Sequence, residues 1–168
     1  MYRKIIVPLD GSALAEAALA QLPNLVGPET EVLLLRVYEP AIVGSAVAFP
    51  PYGSGGSPVP VAAPVQIGVP VDQIREHHER ARHEAEEYLE TRAESLTNWI
   101  HHRRTLALED PNPGAAIAAQ ARDEEADLIV MSPHGRSGAV RWIIGSVADK
   151  VLHSTHIPIL LVRPSEPS

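Results

Sequence analysis

The residues with the clearest chemical use lie between positions 131 and 146, where glycine and serine are concentrated. The run Met131-Ser132-Pro133-His134-Gly135-Arg136-Ser137-Gly138 is followed, six residues later, by Gly145-Ser146. An apolar run at 127–130 precedes it and is typical of a buried strand. In α/β proteins, a strand that leads through a glycine-rich turn into a helix binds phosphate, because the backbone comes close and the helix N–H groups point at the anion. The segment therefore predicts a phosphate or nucleotide site.

Two further strand ends lead to the same place. Asp10 ends a strand and opens the turn Asp10-Gly11-Ser12, and Val37 ends the next strand. The carboxyl ends of parallel strands meet at one edge of a sheet, so Asp10, Val37 and Met131 should line one crevice. The alternative role for Asp10 is to cap the first helix.

Alternating strand and helix patterns must position these residues. Short apolar runs predict five strands, at residues 5–9, 31–37, 104–108, 127–131 and 157–162. Helix-forming or amphipathic stretches predict four helices, at 12–22, 71–99, from Pro113 onward behind an Asn112 cap, and at 145–154. In the long helix we expect Tyr88 and Trp99 in the core. In the last helix we expect a buried face of Val147, Val151 and Leu152.

This order predicts an α/β fold. It is an open, five-stranded, mostly parallel sheet with helices on both faces, Rossmann-like in its winding, and it occupies residues 1–168 as one domain. Residues 40–70 interrupt it with seven of the chain's sixteen prolines and a Gly/Ser run. We expect a long, flexible Pro/Gly-rich insertion after the second strand there, either a surface loop or a lid over the site.

Composition excludes several classes of protein. The net charge of −7 argues against a broad nucleic-acid surface, which needs a basic patch. With no cysteine, disulfides, thiolate metal sites and cysteine nucleophiles are excluded. The first apolar run, residues 5–9, is too short for a signal peptide or a membrane span, so we expect a cytoplasmic protein that engages neither membrane nor nucleic acid.

Other patterns carry less chemistry. The pairs His77-His78 and His101-His102 lack a completing carboxylate or cysteine spacing for a metal, and we interpret them as solvated polar faces. The Walker pattern GxxxxGK[ST] is absent, which argues against a P-loop ATPase. Arg136 and Arg141 could reach a phosphate from the loop or be ordinary surface residues.

Several segments, in order, resemble the universal stress protein family. They are the opening Ile6-Val7-Pro8-Leu9-Asp10-Gly11-Ser12, the strand 126–131, the spacing from Gly135 through nine residues to Gly145-Ser146, and the closing run 158–163. The resemblance covers nearly the whole chain except the insertion.

The resemblance implies ATP or another adenine nucleotide as the ligand and an adenine-nucleotide-hydrolase-like fold. It places Asp10 near the ribose or the phosphates, where it touches Mg²⁺ only through the nucleotide. No convincing general base, nucleophile or two-metal carboxylate set lies near the loop, so we expect no catalytic residue. The remaining binding residues implied by matching positions are Pro8, Leu9, Val37, Met131, Ser132, His134, Gly135, Arg136, Gly138, Gly145, Ser146 and Val147.

Two positions depart from the family pattern. Ser132 stands where the signature has its first glycine, so a positive φ there would strain the backbone and weaken binding, whereas a need for a small side chain alone would be met. Pro111 replaces a glycine before the third helix and should affect the loop rather than the ligand.

Three functions follow. The first is a nucleotide-dependent switch or interaction module of the stress response, with little or no hydrolysis. The second is a slow ATP-hydrolysing enzyme, and the third is a dimeric interaction protein that no longer binds nucleotide. The apolar strand 157–163 would be an aggregation hazard as an unpaired edge, and the resemblance implies that it pairs two subunits into a homodimer.

Overall fold

The computed structural model describes residues 2–39, 71–133 and 144–163. Their strands form one sheet in the order β3-β2-β1-β4-β5, and every neighbouring pair is parallel. The strands are β1 Lys4–Pro8, β2 Glu31–Tyr38, β3 His102–Glu109, β4 Leu128–Met131 and β5 Ile159–Leu161. The predicted α/β sheet is confirmed and is fully parallel; the predicted insertion at 40–70 lies outside the described residues.

Helices cover both faces of this sheet. They are α1 Ala13–Glu16, continued by a 3-10 segment Ala17–Asn24, then α2 Val71–Ser95, α3 Pro113–Asp123 and α4 Ser146–Ser154. Alternate strand residues point to opposite faces. Ile5 and Val7 therefore pack with α1, the 3-10 segment and α2, whereas Ile6 packs with α3 and α4. Burial on both faces explains why the central strands are continuous apolar runs.

Strand order reverses between β1 and β4. From β1 the chain winds outward to β2 and β3 with helices on one face, and it then crosses to β4 and β5 with helices on the other face. The gap that this leaves beyond the carboxyl ends of β1 and β4 is where doubly wound sheets bind ligands.

The first predicted helix, residues 12–22, is largely wrong in type. The helix begins as predicted, with Ser12 as its N-cap, because the Ser12 hydroxyl accepts a hydrogen bond from the Ala15 N–H at 3.1 Å. Regular α-helix, however, ends at Glu16. The following 3-10 segment contains Pro23. Proline lacks an N–H and its ring collides with the carbonyl four residues earlier, which disfavours α winding here and leaves the tighter 3-10 turns.

Three residues predicted to be buried are exposed instead. Trp99 is 37% exposed because α2 ends at Ser95 and the chain turns, so that Ile100 takes the buried place. On α4 the buried residues are Ala148 and Val151, while Val147 and Leu152 are 37% and 47% exposed. The helical period was right in both helices, but its phase was set by tertiary packing. Asn112, by contrast, caps α3 as predicted, with Pro113 at its first position.

Among the described residues, no helix combines the length and apolar character needed to cross a membrane.

Two carboxylates tie together the amino ends of the strands. Glu124 accepts hydrogen bonds from the Lys4 ammonium at 2.8 Å and the Arg104 guanidinium at 2.9 Å. Asp127 accepts the backbone N–H groups of Lys4 and Arg3. The Lys4 hydrogen bond, followed by that of Arg104, lowers the pKa of Glu124, and the two backbone hydrogen bonds lower the pKa of Asp127.

These lowered pKa values predict a loss of stability in acid. A carboxyl group whose pKa is lower in the folded state stabilises the protein fully above its unfolded pKa, and it loses that contribution as the pH falls through the folded value. The free energy of unfolding should therefore be steady near neutrality and decline below about pH 5. At pH 7, Glu124→Gln should cost about 1–2 kcal/mol because Lys4 and Arg104 lose a charged acceptor. Urea unfolding at several pH values measures both.

A matched control is Glu86→Gln, which breaks an exposed Arg82–Glu86 ion pair one helical turn apart on α2. Such pairs contribute about 0.5 kcal/mol or less, so this variant should unfold like the wild type. Equal losses in the two variants would show that the Glu124 cluster has no special role.

Candidate functional site

A cleft of about 590 Å³ lies beyond the carboxyl ends of β1, β2 and β4, where the strand order reverses. This volume is in the range of small-molecule sites. All nine predicted site residues that the structure describes line it, namely Pro8, Leu9, Asp10, Val37, Met131, Ser132, Gly145, Ser146 and Val147. The other four, His134, Gly135, Arg136 and Gly138, lie outside the described residues, as does Arg141.

The turn after β1 presents Asp10 to the cleft. Asp10 Oδ1 accepts the Ser12 N–H at 2.9 Å, and Ser12 in turn caps α1. Gly11 between them has φ of +87°, which favours glycine. The capping role proposed as an alternative for Asp10 belongs to Ser12, so Asp10 shapes the turn while its carboxylate faces the cleft.

The start of α4 forms the opposite wall. Gly145 precedes the helix in an extended conformation, with φ of −65° and ψ of 156°, and its N–H donates to the Pro133 carbonyl at 2.7 Å. No described side chain caps this helix. The N–H groups of a first helical turn lack partners within the helix and carry the positive end of its dipole. Since Gly145, Ser146 and Val147 line the cleft, those groups offer an anion site there.

Ser132 does not strain the backbone. It is 7% exposed and lies beside the cleft after β4. Among the described residues other than glycine, only Glu125 has a positive φ. The replacement of the signature glycine therefore requires no left-handed conformation, which answers the concern raised by the sequence.

The position of α4 depends on close contact with α3. A Cβ added at Gly114 of α3 would lie 2.6 Å from Lys150 Cβ, 2.8 Å from Lys150 Cγ and 3.0 Å from the Val147 carbonyl oxygen. Atoms at these distances collide, so only glycine allows the two helices to approach this closely. Gly114 thus helps fix the first turn of α4 at the cleft.

Residues of β2 and α2 line the cleft without having been predicted. They include Arg36 and Tyr38 at the end of β2, Glu39 directly after it, and Ala81 and Glu84 from α2. Arg36 lies on the same face of β2 as the buried residues Val32 and Leu34. A charged residue at a position that the strand pattern predicts to be buried could have marked it as a site residue. The α2 residues are brought in across residues 40–70, and no local pattern marks them.

The charges around the cleft are mostly negative. Its described lining holds the carboxylates of Asp10, Glu39 and Glu84 and one cation, Arg36. Burial, assisted by the charge of Glu109, raises the pKa of the Tyr38 phenol, which stays a neutral hydrogen-bonding group near pH 7. An anionic ligand therefore meets a site that needs additional positive charge.

The histidine pairs do not form a metal centre within the described chain. No group of three or more histidine, aspartate or glutamate side chains there is arranged to hold a metal ion. His78 instead faces Glu109, with Nδ1 3.3 Å from Oε1.

Residues 57–163 match the family model described as the universal stress protein family. Over 164 residues the chain is 27% identical to "Universal stress protein MJ0531" of Methanocaldococcus jannaschii, in an alignment that covers 97% of this chain and 83% of that protein.

Solved structures share the fold at lower identity. Universal stress protein UspA from Lactobacillus plantarum superposes with a TM-score of 0.70 at 19% identity, covering 96% of this chain and 98% of that one. A universal stress protein from Archaeoglobus fulgidus in complex with dAMP has a TM-score of 0.55 at 18% identity, covering 96% and 98%. A universal stress protein in complex with cAMP has the same TM-score and identity, covering 98% of each chain.

Proposed function

Because this chain belongs to the universal stress protein family, we propose that its cleft binds ATP and that the protein acts in the stress response as a nucleotide-dependent regulatory module. The observation that carries the proposal is the start of α4, which no described side chain caps and which lines the cleft opposite Asp10. Phosphate oxygens are suitable acceptors for its N–H groups. The complexes of related proteins with dAMP and cAMP support an adenine nucleotide as the ligand class.

Magnesium would join the nucleotide. Three carboxylates and one guanidinium line the described part of the cleft, so a free polyphosphate would meet net negative charge. A divalent cation on the phosphates offsets that repulsion, and carboxylates are favoured neighbours for it. In this proposal Asp10, which lines the cleft, contacts the cation only through the phosphates.

We propose that hydrolysis is slow. Asp10 already accepts a hydrogen bond from the Ser12 N–H, and the other described carboxylates of the lining, Glu39 and Glu84, come from β2 and α2 rather than from the α4 side. Among the described residues, neither Glu39 nor Glu84 is paired with a second acid–base group of the kind that activates water. The ATPase alternative thus has no assembled machinery among the described lining residues.

Calorimetric titration with ATP, with and without Mg²⁺, tests the function. We expect saturable one-site binding that Mg²⁺ strengthens about tenfold, or about 1.4 kcal/mol. Phosphate release should stay below about one turnover per minute, far under ordinary enzyme rates. Faster steady turnover would make the protein an enzyme. Failure to bind ATP would favour the interaction protein that has lost its ligand.

The edge strand supports a homodimer as a second element of the proposal. β5 has a described neighbour on one side only, β4. The Pro158 and Val162 backbones bond to β4, so the backbone groups of Ile159 and Leu161 point to the free edge. An apolar edge with unpaired backbone groups favours pairing with another strand. We propose that this other strand is β5 of a second copy of the chain.

Leu161→Lys should produce monomers. Lysine places a charge on a half-buried edge strand, and a charge at such an edge opposes strand pairing. Light scattering should show the mass falling by half. Trp99→Lys is the control, because it adds the same charge to an exposed apolar residue beyond α2 and should leave the mass unchanged. An unchanged dimer in a folded Leu161→Lys variant would mean that β5 is not the interface.

A further inference from the structure

Arg36 projects from β2 into the cleft on the side of α1 and α2. It occupies the same face of the strand as Val32 and Leu34, which pack against those helices. Helix α4 packs on the opposite face, through Ala148 and Val151. The half-buried guanidinium and the start of α4 therefore approach the cleft from opposite faces of the sheet.

The guanidinium is held in a stack. Its Cζ lies 4.8 Å from the centroid of the Tyr88 ring. A Cβ at Gly11 would lie 3.4 Å from Nη2 and 3.6 Å from both Cζ and Nη1, so the turn after β1 also lies against the guanidinium. Tyr88 is itself fixed, because its hydroxyl donates to Glu16 Oε1 at 2.9 Å. The Tyr88 ring and the Gly11 turn thus position the guanidinium, and neither of them accepts its N–H groups in a hydrogen bond.

The N–H edges of Arg36 have no acceptor within the described chain. Arg36 forms no hydrogen bond or ion pair with any described residue, although Asp10, Glu39 and Glu84 line the same cleft. Arg92, which lies 5.3 Å from the same Tyr88 ring, is different because its Nε donates to Glu16 at 2.9 Å. Arg92 is thus satisfied by a described residue, whereas the Arg36 N–H groups have no acceptor among the described residues.

We propose that Arg36 binds a second phosphate group of the nucleotide, on the α2 side of the cleft and separate from the group held at the start of α4. This proposal rests on the proposed function. A guanidinium whose N–H edges have no acceptor among the described residues is suited to bidentate contact with a phosphate. The matching ligand is an adenosine with two phosphate centres, supplied either by a polyphosphate chain or by phosphates on two ribose positions.

Four ligands test this by calorimetry on wild type and Arg36→Gln: adenosine, AMP, ATP and adenosine 3′,5′-bisphosphate. Removing Arg36 should weaken the binding of ATP or of the bisphosphate at least about tenfold. The binding of adenosine and AMP should weaken less than about twofold. The ligand that loses affinity identifies the source of the second phosphate. Arg36→Lys keeps the charge without the bidentate edge and should lose part of the affinity.

Arg92→Gln is the matched control, because Arg92 stacks on the same ring outside the cleft, and it should leave all four affinities within about twofold of wild type. Thermal unfolding without ligand checks that each variant folds. If Arg36→Gln does not fold, Arg36→Lys is compared with the wild type instead.

Equal affinities of wild type and the Arg36 variants for ATP and the bisphosphate would overturn the inference and leave the proposed function standing. An equal loss for AMP would also overturn it, since Arg36 would then contact the single phosphate. If wild type binds none of the four ligands, the proposed function itself fails.

Discussion

A Gly145→Asp variant should bind ATP at least about 100-fold more weakly than the wild type, a loss of about 2.8 kcal/mol. The substitution puts a carboxylate at the start of α4, where we place the phosphates. The carboxylate would accept the first-turn N–H groups that the phosphates need. It would also repel them, and two like charges about 4 Å apart near a protein surface interact by about 4 kcal/mol.

Folding should survive this change. Gly145 has φ of −65° and ψ of 156°, an extended conformation that aspartate adopts at helix starts. Thermal stability without ligand should therefore equal or exceed that of the wild type, which separates lost binding from lost structure.

The control for Gly145→Asp is Leu152→Asp. Leu152 is 47% exposed on the same helix and is absent from the described cleft lining, so this variant carries the same added charge away from the site. Its ATP affinity should change less than about threefold. If Gly145→Asp binds ATP as tightly as Leu152→Asp does, the start of α4 is not the phosphate site.

A Gly114→Ala variant should lose both stability and ATP affinity, although the residue lies on α3. Alanine is a better helix former than glycine by at most about 1 kcal/mol here, since that value is for helix interiors and Gly114 lies in the first turn of α3. Its methyl group, however, would collide with Lys150 Cβ at 2.6 Å, and crowding of this kind costs about 1–3 kcal/mol. The collision is with atoms next to the α4 backbone, so α4 must move. Displaced N–H groups meet phosphate oxygens in poorer geometry, and ATP affinity should fall about tenfold.

Lys150→Gly tests this cause directly. In the Gly114→Ala background it removes both the Cβ and the Cγ that the methyl group meets. The double variant should regain most of the ATP affinity, although the glycine itself costs α4 about 1 kcal/mol. Calorimetry and thermal unfolding of the two single variants and the double variant complete the cycle. A Gly114→Ala protein with wild-type affinity would show that α3 does not position the site.

Sequence reasoning succeeded where local patterns determine structure. Asp10 ends an apolar run before a glycine turn, and Gly145-Ser146 opens a helix, so chain neighbours alone placed both at strand or helix ends. The doubly wound order then brought them together. The predicted helix 12–22 stops just before the helix breaker Pro23, but regular α-helix already ends at Glu16, because the alanine- and leucine-rich composition does not show how far the influence of Pro23 extends.

What sequence reasoning missed depends on contacts between distant segments. Arg36 on β2 contacts Tyr88 on α2, a helix that starts more than 30 residues later in the chain. No periodicity in the sequence predicts a contact between such distant segments. Gly114 looked like any residue of an alanine-rich helix, because the crowding that demands glycine comes from Lys150 on α4. The phase of α4, which exposes Val147 and Leu152, is set by the same packing.

Helix α4 has one end at the cleft and the other close to the sheet edge. Its nine residues span about 13 Å, and residues 155–158 then lead directly into β5. The Ser154 carbonyl at its far end accepts a hydrogen bond from Arg122 of α3. If nucleotide binding displaces α4, we therefore expect β5 to move with it, and β5 is the strand that a second subunit would contact. If the nucleotide strengthens association of the two subunits by some factor, thermodynamic reciprocity requires that subunit association strengthens nucleotide binding by the same factor. The concentration of this protein would then influence its own affinity for ATP.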